Sequence, residues 1–348
     1  MTAPPIRVLV VDDSAFARKV LREVLGADPS IAIVGIARDG LDALEKIVEL
    51  RPDVVTLDLV MPNLDGLGVL RALREQMALD VLVPHVLVVS MADHASELGL
   101  AALEAGAVDI VQKPTSLATD RLYEMAAELI AKVKVAAAVR RRPARSPTPL
   151  PGTSPFTKGP SKRIVVIGAS TGGPQALTRL LTELPADFPL PLAIALHMPP
   201  GYTEALAARL DRACALSVAE ASEGLEMRPG LAVVARAGMH LKLVAGSDTV
   251  TARLDVSPIT KPHRPSVDVL FETAAAVYGA ATLGVVLTGM GDDGLEGARA
   301  IRGAGGVVLT EDEASCVVYG MPRSVHEAGL SSLVVSLERM AAAIQRHI

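Results

Sequence analysis

Short runs of apolar residues that stop abruptly at a polar one recur along this 348-residue chain, and they limit its fold more than any other feature. Arg7-Val8-Leu9-Val10-Val11 gives way to Asp12-Asp13, Val54-Val55-Thr56-Leu57 to Asp58, and Val86-Leu87-Val88-Val89 to Ser90, while Lys113 follows Val108-Asp109-Ile110-Val111. The pattern returns where Arg163-Ile164-Val165-Val166-Ile167 runs into a glycine-rich turn, Leu192-Ala193-Ile194-Ala195-Leu196 into His197, and Leu283-Gly284-Val285-Val286-Leu287 towards Asp293. Runs this short that are apolar on both faces, alternating with helical stretches, predict parallel sheets covered by helices. The expected class is α/β: an N-terminal doubly wound (βα)5 domain and a C-terminal doubly wound, mainly parallel α/β domain.

Two cores are also what the length asks for, since 348 residues exceed what one core usually supports. The first domain is expected over residues 1–125 and the second over 163–348. Between them, 126–162 reads as an extension of the last helix and then a linker, because Arg140-Arg141-Arg142-Pro143-Ala144-Arg145-Ser146-Pro147 has too few apolar residues for a core. Its arginines read as a solvated basic linker. Aromatic residues make up 2% and Trp is absent, so both cores must be built from Ala, Val, Leu and Ile.

The net charge of −5 gives no general attraction to nucleic acid. Residues 163–348 alone carry 15 Lys+Arg against 19 Asp+Glu, or 15 − 19 = −4, which argues against a DNA-binding output. There is no export-like start and no apolar stretch of about 20 residues, so a cytoplasmic protein without membrane insertion is expected, and a monomer. Cys214 and Cys316 have no partner at metal-ligand spacing, and Cys316 reads as a buried thiol.

Gly168-Ala169-Ser170-Thr171-Gly172-Gly173, followed by Pro174, is a serine on a glycine turn at a strand-to-helix handover. Such turns cradle phosphates as well as nucleophiles. Here Ser170 stands where a dinucleotide fingerprint needs its second glycine, and no lysine follows as a Walker loop requires. His197 and Asp293 lie just past other buried runs, and parallel strands bring their carboxyl ends to one edge. A serine, an imidazole that takes its proton and a carboxylate that orients the imidazole can therefore meet. Asp292 competes with Asp293 for the acid's place, and Asp293 alternatively starts a helix.

In the N-terminal domain, Asp12, Asp13 and Asp58 converge at one sheet edge and would repel unless a cation sat among them; such oxygen clusters bind Mg²⁺. With Lys113 and Ser90 nearby, Asp58 is suited to accept a phosphoryl group.

Residues 6 to about 125 resemble a response-regulator receiver domain, carried by Asp12-Asp13, Asp58-Leu59-Val60-Met61-Pro62, Ser90 and Lys113-Pro114. One departure is Ile110, where receivers usually carry an aromatic switch. Residues 163–348 resemble the catalytic domain of the CheB family of chemotaxis methylesterases. The match rests on Gly168-Ala-Ser-Thr-Gly-Gly, His197-Met-Pro-Pro-Gly, His263-Arg-Pro-Ser-Val-Asp, Leu287-Thr-Gly-Met-Gly and Cys316-Val-Val-Tyr-Gly-Met-Pro.

The resemblance implies a triad of Ser170, His197 and Asp293, oxyanion donors at Thr171 and Met290, and Asp58 as phosphoacceptor with Mg²⁺ held by Asp12, Asp13 and Asp58. It implies a hydrolase that cleaves glutamate γ-methyl esters on methyl-accepting chemoreceptors, deamidates receptor glutamines and needs no cofactor for the ester reaction. A chemotaxis histidine kinase would donate the phosphoryl group, and the phosphorylated receiver would uncover the active-site face. Asp292 stands where the family commonly has Asn, adding charge that works to raise a carboxylate pKa. His240, His263 and Arg264 either line the substrate groove or fix a loop.

Overall fold

The computed structural model describes residues 4–78, 83–90, 96–113, 119–139 and 163–348. They form two compact units, each built on its own parallel sheet. Pro114 and the linker expected from Arg140 onward lie outside the described residues.

The first unit alternates β1 (Ile6–Val11), α1 (Ala15–Gly26), β2 (Ile31–Ala37), α2 (Gly40–Leu50), β3 (Val54–Leu57), α3 (Gly66–Ala78), β4 (His85–Ser90), α4 (Ser96–Glu104), β5 (Asp109–Gln112) and α5 (Thr119–Ala138). The sheet order is β2-β1-β3-β4-β5, and every neighbouring pair is parallel. The chain steps from β1 outward to β2, then back across to β3, so its winding reverses between β1 and β3. At such a reversal the carboxyl ends of the strands open a crevice. The polar residues that stop the strands also start helices: Ser14 Oγ accepts from the Ala17 N–H, and Asp39 Oδ1 from the Asp42 N–H.

The second unit contains β6 (Ile164–Ala169), α6 (Gly173–Thr182), β7 (Leu192–Leu196), α7 (Tyr202–Ala213), β8 (Ser217–Glu220), β9 (Leu231–Val234), β10 (His240–Ala245) and β11 (Val250–Asp255). It continues with α8 (Val267–Tyr278), β12 (Thr282–Val286), α9 (Leu295–Gly303), β13 (Val307–Glu311), α10 (Met321–Glu327), β14 (Leu333–Val335) and α11 (Leu337–Gln345). Seven strands form one parallel sheet in the order β14-β13-β12-β6-β7-β9-β8. Both sheets thus have the parallel, doubly wound form that the apolar runs predict. The antiparallel hairpin β10–β11, which stands apart from the sheet, was not among those expectations.

Every residue of β6 is buried, as a central strand covered on both faces must be. Burying Ile164, Val165, Val166 and Ile167, each 0% exposed, contributes roughly 1.5–3 kcal/mol per side chain. The core is aliphatic as the composition requires, with Phe188 and Phe271 among its few buried aromatics. Among the described residues no helix is long and apolar enough to cross a membrane.

Candidate active site

Three adjacent strands deliver the polar residues of the second unit. β12 pairs with β6 at Val286–Gly168, and β6 pairs with β7 at Ala169–Leu196, so all three end at the same level. Ser170 follows Ala169, and the neighbouring His197 donates its backbone N–H to Ala169 O at 3.1 Å. The turn holding Ser170 is closed by backbone: its N–H donates to Thr288 O (3.0 Å), and its carbonyl accepts from Gly173 (2.7 Å). Gly172 has φ +78°, a left-handed conformation that side chains disfavour. Gly289 is needed for close approach, because a Cβ there would lie 2.8 Å from Ser170 Cβ.

Thr171 is buried at the entry to α6, and its carbonyl accepts from Thr288 Oγ1 at 3.0 Å. Met290 follows Gly289, whose carbonyl accepts from the Gly320 and Met321 N–H groups and so pins that loop beside Ser170. The turn after β6 and the loop after β12 therefore border the serine from two sides.

Of the two neighbouring acids, Asp293 is the one brought to the histidine. His197 Nε2 lies 2.8 Å from Asp293 Oδ2, while Asp292 is exposed. Oδ2 also accepts from Val267 N–H (2.7 Å), and Oδ1 accepts from Ser266 Oγ (2.8 Å) and Asp268 N–H (3.0 Å). Burial works to raise the Asp293 carboxyl, but the His197 bond and charge and the α8 N–H groups outweigh it, leaving the pKa below the ordinary carboxylate range. The extra charge of the exposed Asp292 is not among the leading influences on this carboxyl, which His197 lowers most and the α8 N–H groups next.

The three open candidates divide. His263 stacks on His197 with ring centroids 4.1 Å apart and planes inclined by 22°. His240 is fully buried, and burial lowers its pKa despite the bond to Pro258 O. The exposed Arg264 donates to Ile259 O at 3.2 Å and so ties its own loop. Cys316 is half-buried rather than fully buried; burial first, then Glu311 and Asp312, push its thiol pKa up and keep it protonated.

In the first unit, carboxylate oxygens of Asp12, Asp13 and Asp58 lie within 4.8 Å of one another. Lys113 Nζ sits 2.6 Å from Asp12 Oδ2 and 2.5 Å from Asp58 Oδ2. The Lys113 N–H also donates to Ser90 O at 2.8 Å, and the Ser90 side chain is buried at the end of β4. Burial raises the Asp12 pKa, although the charge and hydrogen bond of Lys113 oppose it. Two buried carboxylates and one exposed one, their oxygens gathered this closely, are the hard-oxygen donor set that suits a divalent cation such as Mg²⁺. Ile110 occupies β5, where its carbonyl accepts from Lys132 Nζ at 2.7 Å.

Residues 165–344 match the family described as CheB methylesterase, and residues 8–127 match the response regulator receiver domain. Over 346 residues the chain is 62% identical to protein-glutamate methylesterase/protein-glutamine glutaminase 5 of Myxococcus xanthus, covering 99% of this chain and 98% of that protein. The chain belongs to the CheB methylesterase family. A Symbiobacterium thermophilum protein-glutamate methylesterase/protein-glutamine glutaminase is 44% identical over 99% of the chain and 97% of its own length. The crystal structure of the Thermotoga maritima CheB methylesterase catalytic domain aligns in full with 54% of the chain, at 42% identity and TM-score 0.53.

This CheB-family chain also carries polar groups around the site that motif reading passed over. Asp268, in the first turn of α8, accepts from Gly294 and Gly297 N–H at the start of α9, both at 2.9 Å, and pairs with Lys261 at 2.6 Å. Asp293 thus caps α8 while Asp268 caps α9, a reciprocal arrangement. Glu311, 0% exposed at the end of β13, accepts from Thr288 N–H (2.8 Å) and Ser315 Oγ (2.9 Å). It ends the run Val307-Val308-Leu309-Thr310, so the rule that found Asp12 and Asp58 also points to it.

Burial pushes the Glu311 carboxyl up from 4.5 to about 7. An acid whose folded pKa is raised holds a proton that the unfolded chain has lost between those two values. Stability therefore falls as pH rises from about 4.5 to 7 and stays lowered above. Glu311→Gln should remove that slope, leaving the variant more stable than wild type by about 2–3 kcal/mol at pH 8 and near parity at pH 5. Urea unfolding at both pH values checks this; a wild-type advantage at pH 8 would contradict it.

Proposed function

We propose that this chain is a phosphorylation-controlled esterase that removes methyl groups from glutamate γ-methyl esters of chemoreceptors, and deamidates receptor glutamines with the same groups. The observation that carries this reading is the 2.8 Å contact between His197 Nε2 and Asp293 Oδ2, beside a serine turn on the adjacent strand.

Ser170 Oγ adds to the ester carbonyl while its proton passes to His197. Because Asp293 occupies Nε2, Nδ1 is the nitrogen that receives it. The N–H groups of Thr171 and Met290 stabilise the oxyanion, each such donor being worth about 10²–10³ in rate. The imidazolium then protonates the departing methoxide, giving methanol. Water attacks the acyl-serine, His197 takes its proton and returns it to Ser170, and glutamate is released. With a glutamine the leaving group is ammonia.

Control lies in the first unit. Asp58 accepts a phosphoryl group from a chemotaxis histidine kinase, with Lys113 and Ser90 meeting its oxygens. Asp12, Asp13 and Asp58 would hold Mg²⁺, which when bound offsets the negative charge of the phosphoryl oxygens. Phosphorylation raises esterase activity by favouring the competent state.

Incubating the protein with receptor bearing labelled methyl esters, with and without acetyl phosphate and Mg²⁺, tests both parts. Methanol should appear, and the phosphodonor should accelerate it. No methanol under either condition would reject the esterase reading, and a rate indifferent to phosphodonor would reject the control.

A further inference from the structure

His240 has no place in the chemistry above, yet it is fully buried, and burying an imidazole is costly unless its nitrogens find partners. Both do. His240 Nδ1 lies 3.2 Å from the Ser266 N–H, and Nε2 lies 3.3 Å from Pro258 O. An amide N–H only donates and a carbonyl only accepts, so Nδ1 is bare and Nε2 carries the hydrogen: one neutral tautomer.

Ser266 is the residue that this imidazole fixes. It precedes α8 with an extended backbone, and its Oγ accepts from Val269 N–H at 3.5 Å, as an N-cap does. A hydroxyl has one hydrogen to give, and here it goes to Asp293 Oδ1 at 2.8 Å. Asp293 accepts four bonds, three of them from the consecutive residues Ser266, Val267 and Asp268, and the fourth joins it to His197. The carboxylate is therefore aimed at His197 by whatever holds residues 266–268.

We propose that His240 and Ser266 are positioning residues for the triad acid: His240 sets the Ser266 backbone, and the Ser266 hydroxyl turns the Asp293 carboxylate towards His197. The kinetic part rests on the esterase reading; the hydrogen-bond part does not. Asp293 and the stacked His263 face His197 directly, and Asp268 with its partner Lys261 lies behind the acid.

Ser266→Ala deletes the donor while keeping the backbone. It should lower kcat about 10- to 100-fold, as expected for one hydrogen bond to a charged group, with KM within about twofold. Ser266→Thr, which restores a hydroxyl, should recover most of the loss. Low-field proton NMR of the whole chain supplies a readout that needs no turnover, because the His197 N–H shared with Asp293 gives a downfield resonance that should move upfield or vanish in Ser266→Ala and return in Ser266→Thr. His240→Gln, which keeps an acceptor and a donor, should retain the resonance that His240→Leu loses.

Ser266→Ala with unchanged melting temperature, kcat within twofold of wild type and an unmoved resonance would overturn the proposal. If His240→Leu does not fold, the Ser266 pair still decides. A wild type that releases no methanol would sink the esterase reading alone, since the resonance comparison stands without it.

Discussion

Ser170→Ala is expected to lower methyl-ester hydrolysis by about 10³-fold or more, measured as methanol release under saturating phosphodonor. The fold should survive, because Ser170 is held by its main chain: its N–H donates to Thr288 O, and its carbonyl accepts from Gly173. An alanine keeps both bonds and the β-carbon that rests against Gly289. What disappears is the oxygen that forms the acyl bond. The remaining rate would come from the oxyanion donors and from binding, which in serine hydrolases leave a small fraction of the full acceleration. A variant within tenfold of wild type would remove Ser170 from the chemistry and return its turn to the class of anion cradles.

The second large effect is expected at Asp58. Asp58→Asn should abolish acid-labile phosphate incorporation from labelled acetyl phosphate, and with it the phosphodonor's acceleration of methanol release. Asp58 is suited to the role because Lys113 meets its Oδ2, while Oδ1 accepts from the Leu59 N–H at 2.7 Å. Its carboxylate is thus oriented from both sides. Asn keeps the size and loses the nucleophilic charge. Incorporation at the wild-type level in the variant would move the acceptor to Asp12 or Asp13, the other carboxylates of the cluster.

Much of this arrangement was legible in the sequence because parallel strands have a simple consequence. Each apolar run ends at the same edge, so Ser170, His197 and the acid after β12 are brought to one edge of the sheet without any knowledge of the loops. Asp12, Asp58, Ser90 and Lys113 follow from the same rule in the first sheet. The choice between Asp292 and Asp293 was not legible, since both follow β12 and either could cap a helix. It depends on which carboxylate meets the N–H groups of Val267 and Asp268, and that is a tertiary fact.

Nor did the motifs disclose what His240 does. His240 opens β10, where sequence reading leaves a groove role open, and only the pairing of both ring nitrogens with backbone shows how it is held. His263, equally open between groove and loop, proves to be a ring stacked on His197. Glu311 obeyed the strand-end rule but carried no motif to draw attention to it.

The reciprocal caps make assembly of the site an all-or-none event. Asp293 stands just before α9 yet accepts N–H groups from the start of α8; Asp268 stands at the start of α8 yet accepts them from the start of α9. Freeing either helix end strands two buried donors on one side and a buried carboxylate on the other, so intermediates with one cap made are disfavoured. The chain consequently has no inexpensive way to keep both helices while letting the acid wander, and a change that loosens the acid is felt first as fraying of the helix it caps.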